Sequence, residues 1–369
     1  MLHFLTAGES HGPCLTAIVE GLPAGLAVDV DAINRDLARR QGGYGRGGRM
    51  KIERDRVEIL GGVIAGQTTG APVALHIENR DWANWRDRWA SGDLPTLSVP
   101  RPGHADYAGM RKYGLGDARP VLERASARET AARVAVGALC KQLLAQFNVA
   151  LGSYIVEIGG VVATIPAQPP EALWALAESS DVRCPDPDAA AEMRAAIDAA
   201  REAGDSLGGV FVIVATGVPV GLGSYVHWER RLDARLAAAI ISIPAIKGVE
   251  IGPAFENARR PGTQVHDQLY PNGQGGITRR SNRAGGIEGG ISNGAPLVVR
   301  AAMKPIPTTV TPLHSVDLAT GEADQTQYQR SDVCAVPAAA IVGEAMVAWV
   351  LADALLEKWG GDSMAELLQ

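Results

Sequence analysis

Lysine is scarce in this chain: six lysines stand beside 29 arginines among 369 residues. Positive charge is therefore carried almost entirely by the planar guanidinium, which grips carboxylate and phosphate bidentately rather than as a point charge. Cysteine is scarce as well. Cys14, Cys140, Cys184 and Cys334 are far apart and form no C-x-x-C pair, which excludes a disulfide framework and a cysteine zinc site and leaves a reducing, cytoplasmic setting as the expectation. No metal site is expected. Aromatic residues amount to 5%, too few for rows of base-stacking platforms. A formal charge of −6 argues against a general nucleic-acid binder, whose affinity comes from neutralising phosphates. No basic segment followed by an apolar run opens the sequence, so no secretory signal is expected. The most membrane-like stretch, residues 335–352, is interrupted by Gly343 and Glu344 and reads as a buried helix; no membrane partner is expected.

What is present is an ordinary globular balance, 46% hydrophobic and 21% charged, with 43 glycines and 22 prolines that imply many tight turns. Apolar periodicity places strands near residues 15–19, 57–64, 71–77, 149–164, 210–216 and 296–303. Helices are expected near 31–40, 131–147, 186–203, 232–243 and 336–359. Long polar loops between them suggest an α+β architecture. Trp82, Trp85 and Trp89 recur at helical spacing and read as a packed helix face. Ser126 and Glu129 have the spacing of a capping box.

Five constellations could carry chemistry. Gly8-Glu9-Ser10-His11-Gly12 puts a hydroxyl beside an imidazole in a sharp turn, a pair able to move protons near neutral pH. Residues 35–56 form a basic, glycine-rich segment centred on residues 42–49, expected to be a mobile loop able to close over a polyanion; a solvated loop and an RGG-like RNA segment are the alternatives. Arg124-Ala125-Ser126-Ala127-Arg128 places arginines and free backbone N–H groups at a helix start, a competent phosphate or carboxylate site. Residues 285–292 and Lys304-Pro305-Ile306-Pro307-Thr308 offer close backbone approach and a stiff turn, without the strand–GxGxxG–helix context of a dinucleotide fold. Arg330-Ser331-Asp332 sets an acid beside an arginine just ahead of the last helix, as a cap or a positioned base.

Taken in order with Arg101-Pro102-Gly103-His104-Ala105-Asp106, Lys247-Gly248-Val249-Glu250-Ile251-Gly252 and residues 282–292, these motifs resemble the chorismate synthase family over nearly the whole chain. The resemblance implies one domain, residues 1–369, built as a β-α-β sandwich of antiparallel sheets flanked by helices and assembled as a homotetramer. It implies a lyase that converts 5-enolpyruvylshikimate 3-phosphate to chorismate and phosphate by trans-1,4-elimination, using reduced FMN without net redox change, in aromatic amino-acid biosynthesis. NADPH is a candidate reductant. Because no long insertion is present, an external flavin reductase is the expected source of reduced flavin.

Residue by residue, the resemblance makes His11 the acid for the departing phosphate and His104 the imidazole near the flavin. Ser10 and Asp332 become a proton relay that needs an un-neutralised carboxylate, with Arg330 as flavin ligand and as the neighbour tuning Asp332. Arg40, Arg46, Arg49, Arg101 and Arg128 fall on substrate or NADP positions. FMN would contact Arg124, Ala125 and Ser126, then Pro244 and Ala245, then Gly289, then Lys304, Pro305, Ile306, Pro307 and Thr308. Three positions depart from patterns seen in other members. Ala125 stands where some have Ser, Pro244 where many have a polar residue, and Ser331 where His is frequent, which removes a side-chain bond to FMN at the first two and alters a polar neighbour of Asp332 at the third.

Overall fold

The structure is a computed structural model and describes residues 2–369. It is a mixed helix and strand fold whose sheets are antiparallel. The N-terminal sheet has four strands in the spatial order His3–Ala7, Cys14–Glu20, Val73–Glu78, Val57–Gly61. Alternation along the pleat turns Leu15, Ala17 and Val19, together with Val73, Leu75 and Ile77, into the core, while Leu5, Ile18 and Leu60 face outward. A second sheet runs Ile246–Ile251, Leu297–Met303, Gly209–Thr216, Ala150–Ile158, Val161–Val162. Its central strand is buried from Phe211 to Ala215, as its continuous apolar run requires.

Two helices link the sheets. Thr130–Ala145 packs on the N-terminal sheet, and the C-terminal helix Val336–Trp359 packs on Gly209–Thr216 and Ala150–Ile158; the two helices also pack on each other. Glycine permits that closeness. A Cβ at Gly137 would lie 2.4 Å from Ala345 Cα, and one at Gly343 would lie 2.7 Å from Ile213 Cδ1. The C-terminal helix is apolar enough to cross a membrane, but 94% of that stretch is buried inside the protein, as expected from Gly343 and Glu344. Glu344 itself is fully buried. It accepts hydrogen bonds from Arg39 at 2.8 and 2.9 Å, Lys141 at 2.7 Å and Ser153 at 2.6 Å, with Arg183 at 3.6 Å.

The helix Val30–Gln41 starts at Asp29, whose side chain accepts the Ala32 N–H at 3.0 Å. Its buried face carries Ile33, Leu37 and then Arg40, at i, i+4 and i+7, so a guanidinium occupies the place where an apolar residue would continue the stripe.

Three expectations are corrected. Residues 106–113, which lie outside the expected helices, form a helix closed by Gly114 in the left-handed region at φ 66°. No capping box forms at Ser126. A 3₁₀ turn, Ala127–Glu129, precedes the helix; Ser126 accepts the Arg128 N–H at 3.3 Å, and Glu129 turns to Thr6 and Arg133. The segment 42–49 is pinned rather than solvated: Tyr44 binds Asp198 at 2.9 Å, Val333 N–H donates to Gly45 at 2.8 Å, and Gly47 N–H donates to Asp332 at 2.6 Å.

Candidate active site

The loops and helix ends that follow the N-terminal sheet enclose, with the helix Leu232–Ile241 and the C-terminal helix, a cavity of about 1300 Å³. A single small-molecule pocket is usually roughly 300–1,000 Å³, so this one has room for a cofactor and a substrate together. Nine arginines and Lys304 line it, against only Glu129 and Asp332.

One wall is a layered arginine network. Arg40 and Arg128 share Asp55, at 3.0 and 2.5 Å; Arg128 also binds Asn79 at 2.7 Å and lies 3.7 Å from Glu53, which Arg49 reaches at 3.2 Å. Arg46 pairs with Asp332 at 2.8 Å. Four cations thus face three carboxylates. Burial, helped by the neighbouring Arg128 and Arg46 charges against the pull of Asp55, lowers Arg40 to about 10, and burial likewise lowers Arg49. Nε of Arg40, Arg46 and Arg49 is buried without a partner in each case, an arrangement that costs about 1–3 kcal/mol per donor and that an anion in the cavity would offset electrostatically.

Both expected histidines line this cavity. His11 Nδ1 lies 2.9 and 3.0 Å from the two Glu123 oxygens, and its ring leans on Trp85 at 4.4 Å between centroids. Burial would raise the Glu123 carboxyl, but the hydrogen bond and charge of His11 and the charge of Arg119 hold it below the usual range. His104 Nδ1 lies 2.5 Å from Asp106, which Arg101 clasps at 2.8 and 3.1 Å. Against burial, those contacts keep the Asp106 carboxyl far below its ordinary value. Arg101 continues to Thr308 at 3.1 Å.

Ser10 and Asp332 line the same cavity and are held separately. Arg49 donates to Ser10 Oγ at 2.6 Å and to its carbonyl, and Ser126 lies 3.1 Å from the same hydroxyl. The expectation of an un-neutralised Asp332 tuned by Arg330 needs correction. Its partners are Arg46 and the Gly47 N–H, whereas Arg330 reaches Asp81 at 2.8 Å.

The opposite wall suits a flat ring. It combines Ala338, Ala339, Val342 and Met346 of the C-terminal helix with Ala238, Ile243, Pro244 and Ala245, the last in the left-handed region at φ 67°. Lys304, Ile306, Pro307 and Thr308 form the adjoining rim. Among the described residues Lys304 has no carboxylate partner; burial, and then Lys247, lower its pKa. Arg124 likewise faces only oxygens of Thr6 and Gly8. Two cations without acids beside an apolar slab fit an aromatic ring system carrying a phosphate, as FMN does. Ala125 and Ser126 line the cavity too. Pro305 and Gly289 do not; Gly289 sits in the turn between Ile287–Glu288 and Ile291–Ser292.

Sequence reasoning missed Trp85, read as a packed face but half-buried at the cavity beside His11, and the carboxylates Glu53, Asp55, Asp106 and Glu123 behind the basic residues. Asp106 could have been found from its place two residues after His104. Glu123 carried no such signal, since its partner lies 112 residues away.

A family profile described as chorismate synthase matches residues 2–356. A chorismate synthase of Desulforudis audaxviator is 60% identical over 373 residues, covering 100% of this chain and 96% of the relative. One of Chlorobaculum tepidum is 58% identical over 380 residues, with the same coverage. A crystal structure of chorismate synthase superposes with a TM-score of 0.81 at 47% identity, covering 100% of this chain and 95% of the other.

Proposed function

The chain belongs to the chorismate synthase family, and from that premise we propose that the arginine-lined cavity is its active site. The activity is that of a carbon–oxygen lyase: 5-enolpyruvylshikimate 3-phosphate loses phosphate and a ring proton from opposite faces to give chorismate, with reduced FMN as cofactor. The carbon–oxygen electron pair leaves with phosphate and the carbon–hydrogen pair becomes a new double bond, so electrons balance without oxidation. Reduced FMN supplies transient electron density and a basic nitrogen beside the ring.

The chain's residues bind, orient and move protons. Arg40, Arg46, Arg49, Arg101 and Arg128 hold the anionic groups of the substrate, and their buried, unmatched charge favours the dianion that leaves. His11 protonates the departing phosphate. His104 faces the flavin, and Ser10 with Asp332 accepts the ring proton once substrate anion draws Arg46 and Arg49, their present partners, toward itself. Arg124, Ala125, Ser126, Pro244, Ala245, Lys304, Ile306, Pro307, Thr308 and Arg330 cradle FMN, while Pro305 and Gly289 belong to its outer surroundings. The observation that carries this reading is the lining itself, nine arginines and a lysine against two acids, with two imidazoles at its edge. Anaerobic phosphate release from the substrate tests it. Release is expected with dithionite-reduced FMN and not with oxidised FMN or without flavin; equal rates in all three would overturn the assignment.

The finer organisation belongs to the same proposal. Residues 1–369 act as one domain, supported by a single core that runs from Leu2 to Leu367. Helices Thr130–Ala145 and Val336–Trp359, packed between the two sheets, support a β-α-β sandwich. Exposed Leu5, Ile18 and Leu60 on the outward sheet face support a homotetramer. The enzyme works in the cytoplasm with flavin reduced by a separate reductase, or by NADPH bound at Arg40 and Arg46. Light scattering at four times the 38.7 kDa chain mass would support the tetramer.

A further inference from the structure

Neither Glu123 nor Asp106 lines the cavity, yet each stands directly behind an imidazole that does. We propose that these two carboxylates are positioning residues that hold His11 and His104 with a proton on Nδ1, so that Nε2 is the atom each imidazole offers to the cavity. The inference rests on the reading of the cavity as the active site.

Each imidazole meets its carboxylate at Nδ1. Glu123 brackets His11 Nδ1 with both oxygens, at 2.9 and 3.0 Å, and accepts the His11 backbone N–H at 2.8 Å, so the ring is tied at two points. Trp85 confines one ring face. Asp106 meets His104 Nδ1 at 2.5 Å, while its other oxygen accepts the backbone N–H of Arg101 at 3.1 Å. An ionised carboxylate can only accept, so the shared proton sits on Nδ1. Arg101 Nη2 stands 3.0 Å from His104 Nδ1 and 3.4 Å from Nε2; a nitrogen that donates cannot also accept, Asp106 Oδ1 takes this donor at 3.1 Å, and Nε2 keeps only the longer approach from Arg101. Among the described residues His11 Nε2 has no hydrogen-bond partner.

The two pairs differ in charge balance. Asp106 is neutralised by a guanidinium fork from Arg101, whereas the nearest cation to Glu123 other than His11 is Arg119 at 3.6 Å. Asp106 therefore mainly orients its imidazole. Glu123 holds His11 at both the ring and the backbone N–H, with Arg119 as its more distant cation.

Neutron diffraction from deuterated crystals of the flavin-free wild-type chain reads the proton directly. Deuterium on Nδ1 of both residues is expected; a bare Nδ1 on either would overturn the proposal. In the same study Glu123→Ala, which removes the acceptor of the Nδ1 proton, should lower kcat about 10- to 100-fold while KM stays within about threefold, and Glu123→Gln, which keeps an accepting oxygen, should lose less. A kcat of Glu123→Ala within about twofold of wild type would contradict the role of Glu123. Failure of the wild type to release phosphate with reduced FMN would instead sink the functional reading, and the neutron result would still decide the tautomer.

Discussion

Arg39 and Arg40 are neighbours in one helix and serve opposite ends. Arg39 joins Glu178, Asp36 and the buried Glu344, to which Lys141, Arg183 and Ser153 also turn. Burial opposes its charge, but Glu344 outweighs burial and raises the Arg39 pKa above its already high ordinary value. Arg40 enters the cavity network, where burial and like charges lower it to about 10. A buried ion cluster with its acceptors filled glues helices together, whereas one with surplus cations is built to receive an anion.

The comparison breaks most visibly at turnover. His104→Ala and Asp332→Ala should each lower kcat by about 10²–10⁴-fold with a much smaller change in KM, since their work is done in the transition state. Steady-state assay under anaerobic conditions checks this, and a change confined to KM would count against both roles. In the other network, Glu344→Ala leaves Arg39, Lys141 and Arg183 buried around an empty place. A loss of about 3–5 kcal/mol in urea unfolding is expected.

A pH series sharpens the same contrast. Charge from Lys141 and Arg39 outweighs the burial that would raise Glu344, and keeps its carboxyl far below the usual carboxylate range. A depressed carboxyl contributes its stability above the unfolded pKa and loses it as pH falls from there toward the folded value. The stability gap between wild type and Glu344→Gln should therefore be flat from pH 6 to 8 and narrow below about 4.5. A gap that widened on acidification would contradict the pairing. The smallest effect concerns inorganic phosphate, which should stabilise the wild type by on the order of 1 kcal/mol at a few times its Kd and Arg40→Met by less, as thermal melts would record.

How much of this could be read from the chain depends on distance. The periodicity of Ile33, Leu37 and Arg40 already places Arg40 on the buried face, and the inner strands of both sheets followed from apolar and β-branched periodicity, whereas the edge strands His3–Ala7 and Ile246–Ile251 did not. Helix 106–113 was hidden because its N-terminal turn follows a Pro-Gly segment and its one strong punctuation, Gly114, comes at the end. The pairing of Arg46 rather than Arg330 with Asp332 bridges 286 positions, and nothing local distinguishes the two arginines. Glycine-rich composition suggested mobility in residues 42–49, but in that segment left-handed Gly43 and Gly45 let the backbone pack against Pro337 and Cys334.

Substrate binding by Arg40→Met tests the central claim most directly, because it removes the surplus cation and leaves Asp55 paired with Arg128. Calorimetric titration of 5-enolpyruvylshikimate 3-phosphate in the presence of oxidised FMN should show affinity reduced by about 10- to 100-fold, with unfolding free energy within about 1 kcal/mol of wild type. Unchanged affinity, or a variant that loses stability as Glu344→Ala does, would contradict the account.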